Sequence, residues 1–456
     1  MKNLMASIFC IVMLITTIVS AAIPLTSAGP VFKANSVKPG EVWVAPSVIG
    51  LDWTSPEWQA RLPVYTFSGE RPLNTLISMD DWPDDEVDQA AGGVVVRPTA
   101  SSSDMASAPA GGSLKVKGKF TTPLSNDGST GADTSLQGIV WGWVHIHRCS
   151  DNALLGQGLT GDPGKKAGKF KIAVANPGSA GLYAEIFPAT SAGEVRTPTG
   201  GFDSYATVTP CKYPSLSDTR YKMGTYSMYA GDGGVYRGAW MIYESIVNDN
   251  RNWGAWNFFA NRLGSEGWVM PSVTVRFPYE SWAHYHTGGE IHLPVMNDAR
   301  SPDVIQHEYG HFAMYTVYGG WFSTYCPSPH YINGVSHVNC AWSEGWASDV
   351  PYMTHSDKTY TYANNFEVDE ENATGYWEDG PAVEGRVTMA LIDLQDSENE
   401  AGDVASGLLA NLWVVFHHSG MNVNFHDFMA DYKATYGYPS SVSNTLAHNT
   451  IVFEDL

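Results

Sequence analysis

Apolar and polar residues follow two different periods along this chain of 456 residues. Between residues 113 and 212, short runs alternate apolar and polar positions and are separated by turns rich in Gly, Asp and Pro, which is typical of half-buried β-strands. Strands are predicted at residues 114–120, 138–147, 170–174, 181–187 and 205–209. Five or more short strands at this spacing predict an all-β sandwich over residues 113–212.

From about residue 213 the apolar period lengthens to that of a helix. Helices are predicted at 235–247, 383–394 and 425–436, where apolar residues recur every three or four positions, and a buried helix is predicted at the apolar run 408–416. Alternating residues at 269–277 and 290–294 predict two strands. The segment 213–456 is therefore predicted to be an α+β domain, and the chain to be multidomain.

The N-terminal segments carry different signals. Lys2 precedes an apolar run that ends near Val19 and is followed by small residues, the layout of a secretory signal peptide, so residues 1–28 are predicted to be cleaved. An uncleaved membrane anchor is the alternative. Residues 29–87 are predicted to be an N-terminal extension or prosegment, and residues 88–112, rich in Gly and Ser, a flexible linker. The protein is expected to be secreted or associated with the cell surface.

The string His-Glu-Tyr-Gly-His at residues 307–311 is the strongest chemical signal in the chain. Ser-Pro-Asp at residues 301–303 predicts the start of a helix, and Gly319-Gly320 its end. Residues four apart share one face of a helix, so His307 and His311 can direct two imidazoles at one zinc ion.

Two histidines are too few for a catalytic zinc site, which normally has three protein ligands and one open position. The string Ala-Trp-Ser-Glu-Gly-Trp-Ala at residues 341–347 offers Glu344 as the third ligand. Glu308 stands beside the histidines, where its carboxylate can accept a proton from a zinc-activated water. A helix with ordinary surface or core histidines is the alternative, and the predicted helix and nearby carboxylate favour zinc.

This arrangement resembles the gluzincin metallopeptidases, which include thermolysin-like and fungalysin-like enzymes. The resemblance implies a zincin-type catalytic domain in which His307, His311 and Glu344 bind zinc and Glu308 is the general base. The Glu-Gly-Trp string at residues 344–346 is more similar to the fungalysin side.

One position departs from the thermolysin-like pattern. Those enzymes carry an aspartate four residues after the third ligand, where it orients a zinc-binding histidine. Here Ser348 occupies that position and Asp349 follows it, so the group that orients the histidine is left open.

The resemblance also implies a substrate-binding strand before the zinc helix, at the edge of the cleft. Glu290, Ile291 and His292, or their immediate partner strand, are expected to pair with the substrate backbone. A donor to the oxyanion is expected from a later residue. The candidates are His417, His418, Tyr376, His426 and Tyr432, of which we select His417; the alternative for His417 is a cation at a helix C-terminus.

Four cysteines remain after the signal segment, and they allow three pairings. We favour Cys149–Cys211 and Cys326–Cys340, because each pair then lies inside one predicted domain. The second bridge would close a short loop between the zinc helix and Glu344 and contribute about 3 kcal/mol. Four free thiols in a reducing compartment is the alternative.

The net charge of −21 disfavours nucleic acid and anionic lipid as partners and leaves peptide or protein substrates. Acidic residues cluster at 393–400 and 369–371, where Ca²⁺ is a candidate second cofactor. A solvated acidic loop is the simpler interpretation. The oligomeric state is not predicted.

The predicted sandwich carries two further features. Its turn strings at residues 161–164 and 168–170 resemble the carboxypeptidase-regulatory or transthyretin-like domains attached to many secreted peptidases. His145 and His147 share one face of a predicted strand and are candidate metal ligands, although two solvent-facing histidines are a simpler explanation.

The sequence thus predicts a secreted zinc metallopeptidase, with endopeptidase action favoured because no device for holding a free N-terminus is evident. Two alternatives come from other classes. The first is an inactive peptidase-like protein that binds or adheres at the cell surface. The second is an amidase that acts on cell-wall peptides.

Overall fold

The computed structural model describes residues 89–90, 112–123, 136–201, 205–227, 235–248, 254–265, 270–279, 283–286, 289–294, 299–320, 326, 330–362, 367–372, 377–398 and 402–456. All of them lie in one compact unit, Pro39–Leu456. The predicted signal peptide, the extension at 29–87, most of the linker at 88–112, and Tyr376 lie outside the described residues.

The secondary structure mixes strands and helices along the whole described chain. The strands are β1 (Gln89–Ala90), β2 (Ser113–Pro123), β3 (Leu136–Gly138), β4 (Trp143–Arg148), β5 (Leu154–Leu159), β6 (Lys169–Ala175), β7 (Leu182–Phe187), β8 (Ala189–Thr190), β9 (Gly193–Arg196), β10 (Thr207–Val208), β11 (Arg220–Ser227), β12 (Val273–Arg276), β13 (His284–His286), β14 (Glu290–His292), β15 (Thr359–Thr361) and β16 (Glu367–Asp369). The helices are α1 (Val235–Val247), α2 (Ala255–Ser265), α3 (Pro302–Val317), α4 (Val338–His355), α5 (Glu384–Gln395), α6 (Leu409–His418), α7 (Phe425–Tyr436) and α8 (Ser440–His448).

Two sheets are built mainly from the segment predicted to be a sandwich. In the first, β11 lies between β1 and β2, and β2 also pairs with β3 and β6. The second has the order β10-β7-β4-β5 and is antiparallel throughout. The two residues of β1, which fall inside the predicted linker, pair in parallel with β11.

Alternate residues of these two sheets supply one core. The side chains that are at most 5% exposed and belong to the same cluster include Leu114, Val116, Phe120, Val144, Ile146, Phe170, Ile172, Val174, Leu182, Ala184 and Ile186. They follow the period of two that the sequence pattern predicts, because successive side chains of a strand point to opposite faces.

The third sheet joins the two halves of the chain. Its order is β13-β14-β12-β9-β8, with β12 parallel to both β9 and β14. β9 comes from the segment assigned by sequence to the sandwich, whereas β12 to β14 come from the α+β segment. The core cluster likewise runs without a break from the first sheets into the helices.

Helix α3 begins and ends where the sequence predicts. The Ser301 side chain accepts a hydrogen bond from the backbone N–H of Val304 at 3.1 Å, and Pro302 occupies the first turn. The Asp303 carboxylate complements the positive end of the helix dipole. Gly319 and Gly320 follow the helix with φ of 68° and 93°, a conformation that glycine adopts at little cost.

Helix α4 is held by aromatic packing on one face. Trp342 and Trp346 are each 1% exposed, and the ring of Trp346 stacks on Phe416 with centroids 3.7 Å apart. Trp342 stacks on Phe428 at 4.7 Å. Residues two apart on a helix face opposite sides, so burying both tryptophans directs Glu344, midway between them, toward α3.

The two disulfides predicted from the sequence are present, Cys149–Cys211 and Cys326–Cys340. Two disulfides fit an extracellular protein, because reducing compartments disfavour them. Within the part of the chain that the structure describes, every helix is too short or too polar to cross a membrane.

Candidate active site

Three side chains from α3 and α4 converge on one point. The Nε2 atom of His307 lies 3.1 Å from Oε2 of Glu344, and Nε2 of His311 lies 3.3 Å from the same oxygen. Ligands at the zinc–nitrogen and zinc–oxygen bond lengths of about 2.0–2.2 Å stand ~3.4 Å apart around a tetrahedral zinc ion. The donor types and their spacing therefore fit zinc.

Two glycines allow the helices to approach this closely. A Cβ atom on Gly310 would lie 2.8 Å from the Cα atom of Ala347, so only glycine lets α3 meet α4 at this point. On the other side of α4, a Cβ atom on Gly345 would lie 2.8 Å from Cβ of Val387 in α5. Both glycines belong to the motifs at 307–311 and 341–347, so the motifs encode the helix contact as well as the ligands.

The electrostatics favour an ionised third ligand. Burial alone would raise the pKa of Glu344, but the neighbouring imidazoles of His311 and His307 lower that pKa well below its usual value. A carboxylate that stays charged in a buried position is suited to bind a divalent cation.

Ser348 fills the position that the sequence left open. Its Oγ atom lies 3.2 Å from Nδ1 of His307, while Nε2 of the same ring faces Glu344. Asp349 points elsewhere, and its Oδ2 atom accepts a hydrogen bond from Nε2 of Gln395 at 2.7 Å. Burial raises the pKa of Asp349 well above its usual value, which suits a structural role in the core.

A cavity of about 750 Å³ opens beside the three convergent side chains. Glu308 is 6% exposed and lies on the cavity wall with His307, Glu344 and Ser348. The remaining lining residues are Ala283, Val304, His330, Tyr331, Ile332, Asn333, Tyr360, Tyr362, Val368, Trp377 and Glu384.

His330 and Glu384 form an ion pair on this wall that the sequence did not predict. Nδ1 of His330 lies 2.8 Å from Oε1 of Glu384, and this hydrogen bond, with the charge of Glu384, raises the pKa of His330 to about 9. Burial raises the pKa of Glu384. No local sequence pattern marks either residue, since a carboxylate at the start of a helix such as Glu384 is common and His330 lies in a loop.

The second disulfide lies between the third ligand and this ion pair. Sγ of Cys326 is 3.5 Å from Oε1 of Glu344, and Sγ of Cys340 is 3.7 Å from Oε1 of Glu384. The bridge therefore packs against both carboxylates and fixes the segment that precedes the ligand helix. Both sulfurs are used in the bridge and are not metal ligands.

The predicted oxyanion donors after residue 400 lie away from the lining of this cavity. His417 stacks on Trp413 with ring centroids 5.8 Å apart, and its Nδ1 atom lies 3.4 Å from Nε2 of His418. His426 pairs with Asp455 at 2.9 Å, and Tyr432 packs against Tyr436. The apolar run at 408–416 predicted a helix, and α6 is present there. The run did not show which side of that helix would face the cavity.

The predicted substrate strand is an inner strand of the third sheet. β14, with Glu290, Ile291 and His292, lies between β12 and β13, so its partner β13 is the outer strand among the described residues. The side chain of Glu290 is bound to Arg276 at 2.9 Å. Ala283, which immediately precedes β13, lines the cavity.

The acidic cluster considered for calcium is compensated by a lysine. Nζ of Lys358 lies 2.6 Å from both Glu371 Oε1 and Asp396 Oδ2, and 3.0 Å from Glu398 Oε2. A protein cation at the centre of these carboxylates satisfies their charge locally. These carboxylates therefore do not need a calcium ion to balance their charge.

Helices α3 and α4 thus present a His-Glu-x-x-His string and a following glutamate to one cavity. Residues 271–451, which include α3 and α4, match the family model of the Mycolysin C-terminal domain. The comparison with curated proteins found no match. The similarity supports a metallopeptidase that hydrolyses peptides or proteins, and a family of this kind implies zinc.

Proposed function

We propose that this protein is a secreted zinc-dependent endopeptidase, in which a β-sandwich precedes a zincin-type catalytic domain. The observation that carries the proposal is the convergence of His307 and His311 on Glu344, whose Oε2 atom lies 3.1 and 3.3 Å from their Nε2 atoms, with Glu308 on the wall of the same cavity. An inactive binding protein would be expected to have lost at least one of these four groups.

The three donors would hold zinc, and Ser348 would orient His307 through the Nδ1 atom. When bound, zinc lowers the pKa of a water molecule to about 7 and polarises the scissile carbonyl. Glu308 accepts the proton of the attacking water and transfers it to the leaving amine. The Glu308 carboxylate is only 6% exposed, so few bulk water molecules compete with the attacking water for contact with it.

His330 would stabilise the developing oxyanion. It lines the cavity, and its ion pair with Glu384 keeps it protonated through neutral pH, since its pKa is about 9. A cationic donor directed at the negative charge of the transition state contributes more than it does to the ground state. His330 takes this role in place of the sequence prediction, His417.

The substrate backbone would pair with β13, the outer strand of the third sheet. Such pairing gives affinity along an extended peptide without a requirement for a free end. Glu384, a carboxylate that could otherwise bind a substrate amino group, is occupied by His330 at 2.8 Å. Both features favour endopeptidase action.

The test is hydrolysis of casein and of an end-blocked peptide library by wild type and by Glu308→Gln, with zinc measured on the same samples. We expect the wild type to cleave blocked peptides internally, and the variant to retain zinc but lose cleavage. Zinc retained by both proteins without cleavage of any peptide would support the binding-protein alternative. Cleavage confined to cell-wall peptides would support the amidase alternative.

A further inference from the structure

A second cluster of metal-binding side chains lies on the antiparallel sheet of β4 and β7, outside the matched family segment. His145 and His147 lie on β4 and Glu185 on β7, and one ligand atom from each lies within 4.8 Å of the other two. His145 is directly opposite Glu185 in the register, whereas His147 is opposite Tyr183. Glu185 is therefore the direct neighbour of one histidine and the diagonal neighbour of the other, both within reach of its side chain.

In the tautomer that His147 adopts, the Nε2 atom carries the lone pair and can bind a cation. Nδ1 of His147 donates a hydrogen bond to the carbonyl oxygen of Asn152 at 3.0 Å, so the neutral ring carries its lone pair on Nε2. Nε2 lies 3.3 Å from Oε2 of Glu185. This separation equals that between His311 and Glu344 in the catalytic group, and two acceptors at this distance need a cation or a proton between them.

The site is held rigid by its surroundings. The ring of His147 stacks on Tyr183 with centroids 5.1 Å apart, and the ring of His145 packs edge-on against Trp143 at 4.0 Å. The Nε2 atom of His145 is buried and has no hydrogen-bond partner among the described residues. Locked rings with a positioned outer hydrogen bond are the features that tune metal sites in proteins.

Glu185 is the residue of the cluster whose burial costs the most free energy. It is 2% exposed on a sheet face that also carries Trp143 and Phe187, and an ionised carboxylate in such surroundings is destabilising unless a positive charge lies beside it. Two imidazoles and one carboxylate are the donors that zinc and neighbouring transition metals prefer, whereas calcium and magnesium prefer oxygen alone.

We propose that His145, His147 and Glu185 form a second, structural binding site for a divalent transition metal of the zinc class, which joins β4 to β7. Cys149, which follows β4, is joined to Cys211 by the first disulfide, so the metal and the disulfide would fasten the same end of the sheet. The site is independent of the proposed peptidase centre, since the two share no residue.

The test counts zinc per chain in the full secreted protein after incubation with Zn²⁺ and dialysis, in wild type, Glu185→Gln, His147→Gln and His311→Gln. We expect two zinc ions in the wild type and one in each variant. His147→Gln is the second variant at the site because its side chain is 14% exposed and tolerates change better than Glu185. Glu194→Gln, which removes another buried carboxylate, is the matched control and should keep two.

The outcomes separate the two sites. One zinc in the wild type, retained in Glu185→Gln and His147→Gln but lost in His311→Gln, would overturn the second site and leave the peptidase proposal intact. If the wild type holds one zinc ion that is lost in Glu185→Gln and retained in His311→Gln, the result would support the second site and contradict the catalytic zinc site. Two measurements show whether Glu185→Gln and His147→Gln are folded. Their intact masses report whether both disulfides have formed, and their peptide hydrolysis reports whether the peptidase centre is intact.

Discussion

The Oγ atom of Ser348 lies 3.2 Å from Nδ1 of His307, on the side of the ring opposite Glu344. This serine lies one turn after Glu344 on α4, at the position where the sequence resemblance predicts an aspartate. A neutral hydroxyl fixes the ring orientation but adds less basicity to the imidazole than a carboxylate would. At the proposed zinc site, His307 would therefore be oriented by a neutral hydroxyl group and not by a charged carboxylate.

Ser348→Ala should weaken zinc binding by roughly 10–100-fold, because it removes the partner that orients His307. The measurement is competition with a zinc chelator of known affinity at pH 7.5. Asp349→Asn is the matched control, since the adjacent Asp349 contacts Gln395 instead of the histidine. Equal zinc affinity in Ser348→Ala and wild type would show that His307 is oriented by another group.

Glu308→Gln should lower kcat by roughly 10²–10⁴-fold while zinc content and KM change little, because the amide keeps the shape of the side chain but accepts no proton. Steady-state kinetics on an internally quenched peptide provide the measurement. A variant that retains more than a tenth of wild-type kcat would exclude Glu308 as the base.

His330→Gln should lower kcat by about 10²–10³-fold, the usual loss when one oxyanion donor is removed. His417→Gln, in which the histidine stacks on Trp413 away from the cavity lining, should leave kcat nearly unchanged. A loss confined to His417→Gln would restore the donor predicted from the sequence and remove His330 from the mechanism.

The two disulfides should have separable effects. Replacing Cys326 and Cys340 by serine opens a loop of 14 residues and should cost about 3 kcal/mol of unfolding free energy, with a loss of zinc affinity because the bridge contacts Glu344. Replacing Cys149 and Cys211 opens a loop of 62 residues and should cost about 4 kcal/mol without affecting the catalytic zinc. Urea unfolding and zinc titration of both variants test this contrast, and catalytic zinc lost from both alike would refute it.

Asp393 should make stability fall as pH rises. Burial raises the pKa of Asp393 to about 8, with further contributions from neighbouring carboxylates. The folded state therefore holds this proton more strongly than the unfolded state, whose aspartates have a pKa near 3.9, so unfolding free energy decreases between about pH 4 and pH 8. The stabilising effect of protonation is complete at the acid end of that window and is lost toward pH 8.

Asp393→Asn should remove part of this dependence, because the amide replaces the protonated carboxyl beside Asn449. Urea midpoints at pH 5 and pH 8 in calcium-free buffer provide the measurement, with Glu454→Gln, at an exposed position, as control. We expect the variant to gain stability relative to wild type at pH 8 and not at pH 5. A larger gain at pH 5 would reverse the sign and reject the assignment.

Local signals predicted helix α3, which carries His307 and His311. The N-cap Ser301, Pro302 and the terminal glycines define α3 without help from distant residues. The pair His330–Glu384 could not be predicted in this way, because it joins positions 54 residues apart through the loop fastened by the second disulfide. Spacing in sequence carries no signal for such a contact.

The strand boundaries in the N-terminal half are a second feature that the sequence pattern did not fully predict. Residues 138–147 read as one strand, but the chain breaks between β3 and β4 at Trp141, whose φ is 51°. Bulky residues rarely adopt this conformation, so no propensity rule predicts a turn there. It is stabilised by tertiary contacts, including the hydrogen bond that Nε1 of Trp141 donates to Asp162 at 2.9 Å. Likewise, the pairing of β9 with β12 joins residues about 80 positions apart, which periodicity alone does not reveal.

Anomalous diffraction at the zinc absorption edge, from crystals of the zinc-loaded protein, tests the proposed site most directly. We expect a peak bounded by Nε2 of His307, Nε2 of His311 and the carboxylate of Glu344, with the Glu308 carboxylate beside it. A zinc-loaded crystal with no peak at that position, or with Glu344 turned away from the imidazoles, would contradict it.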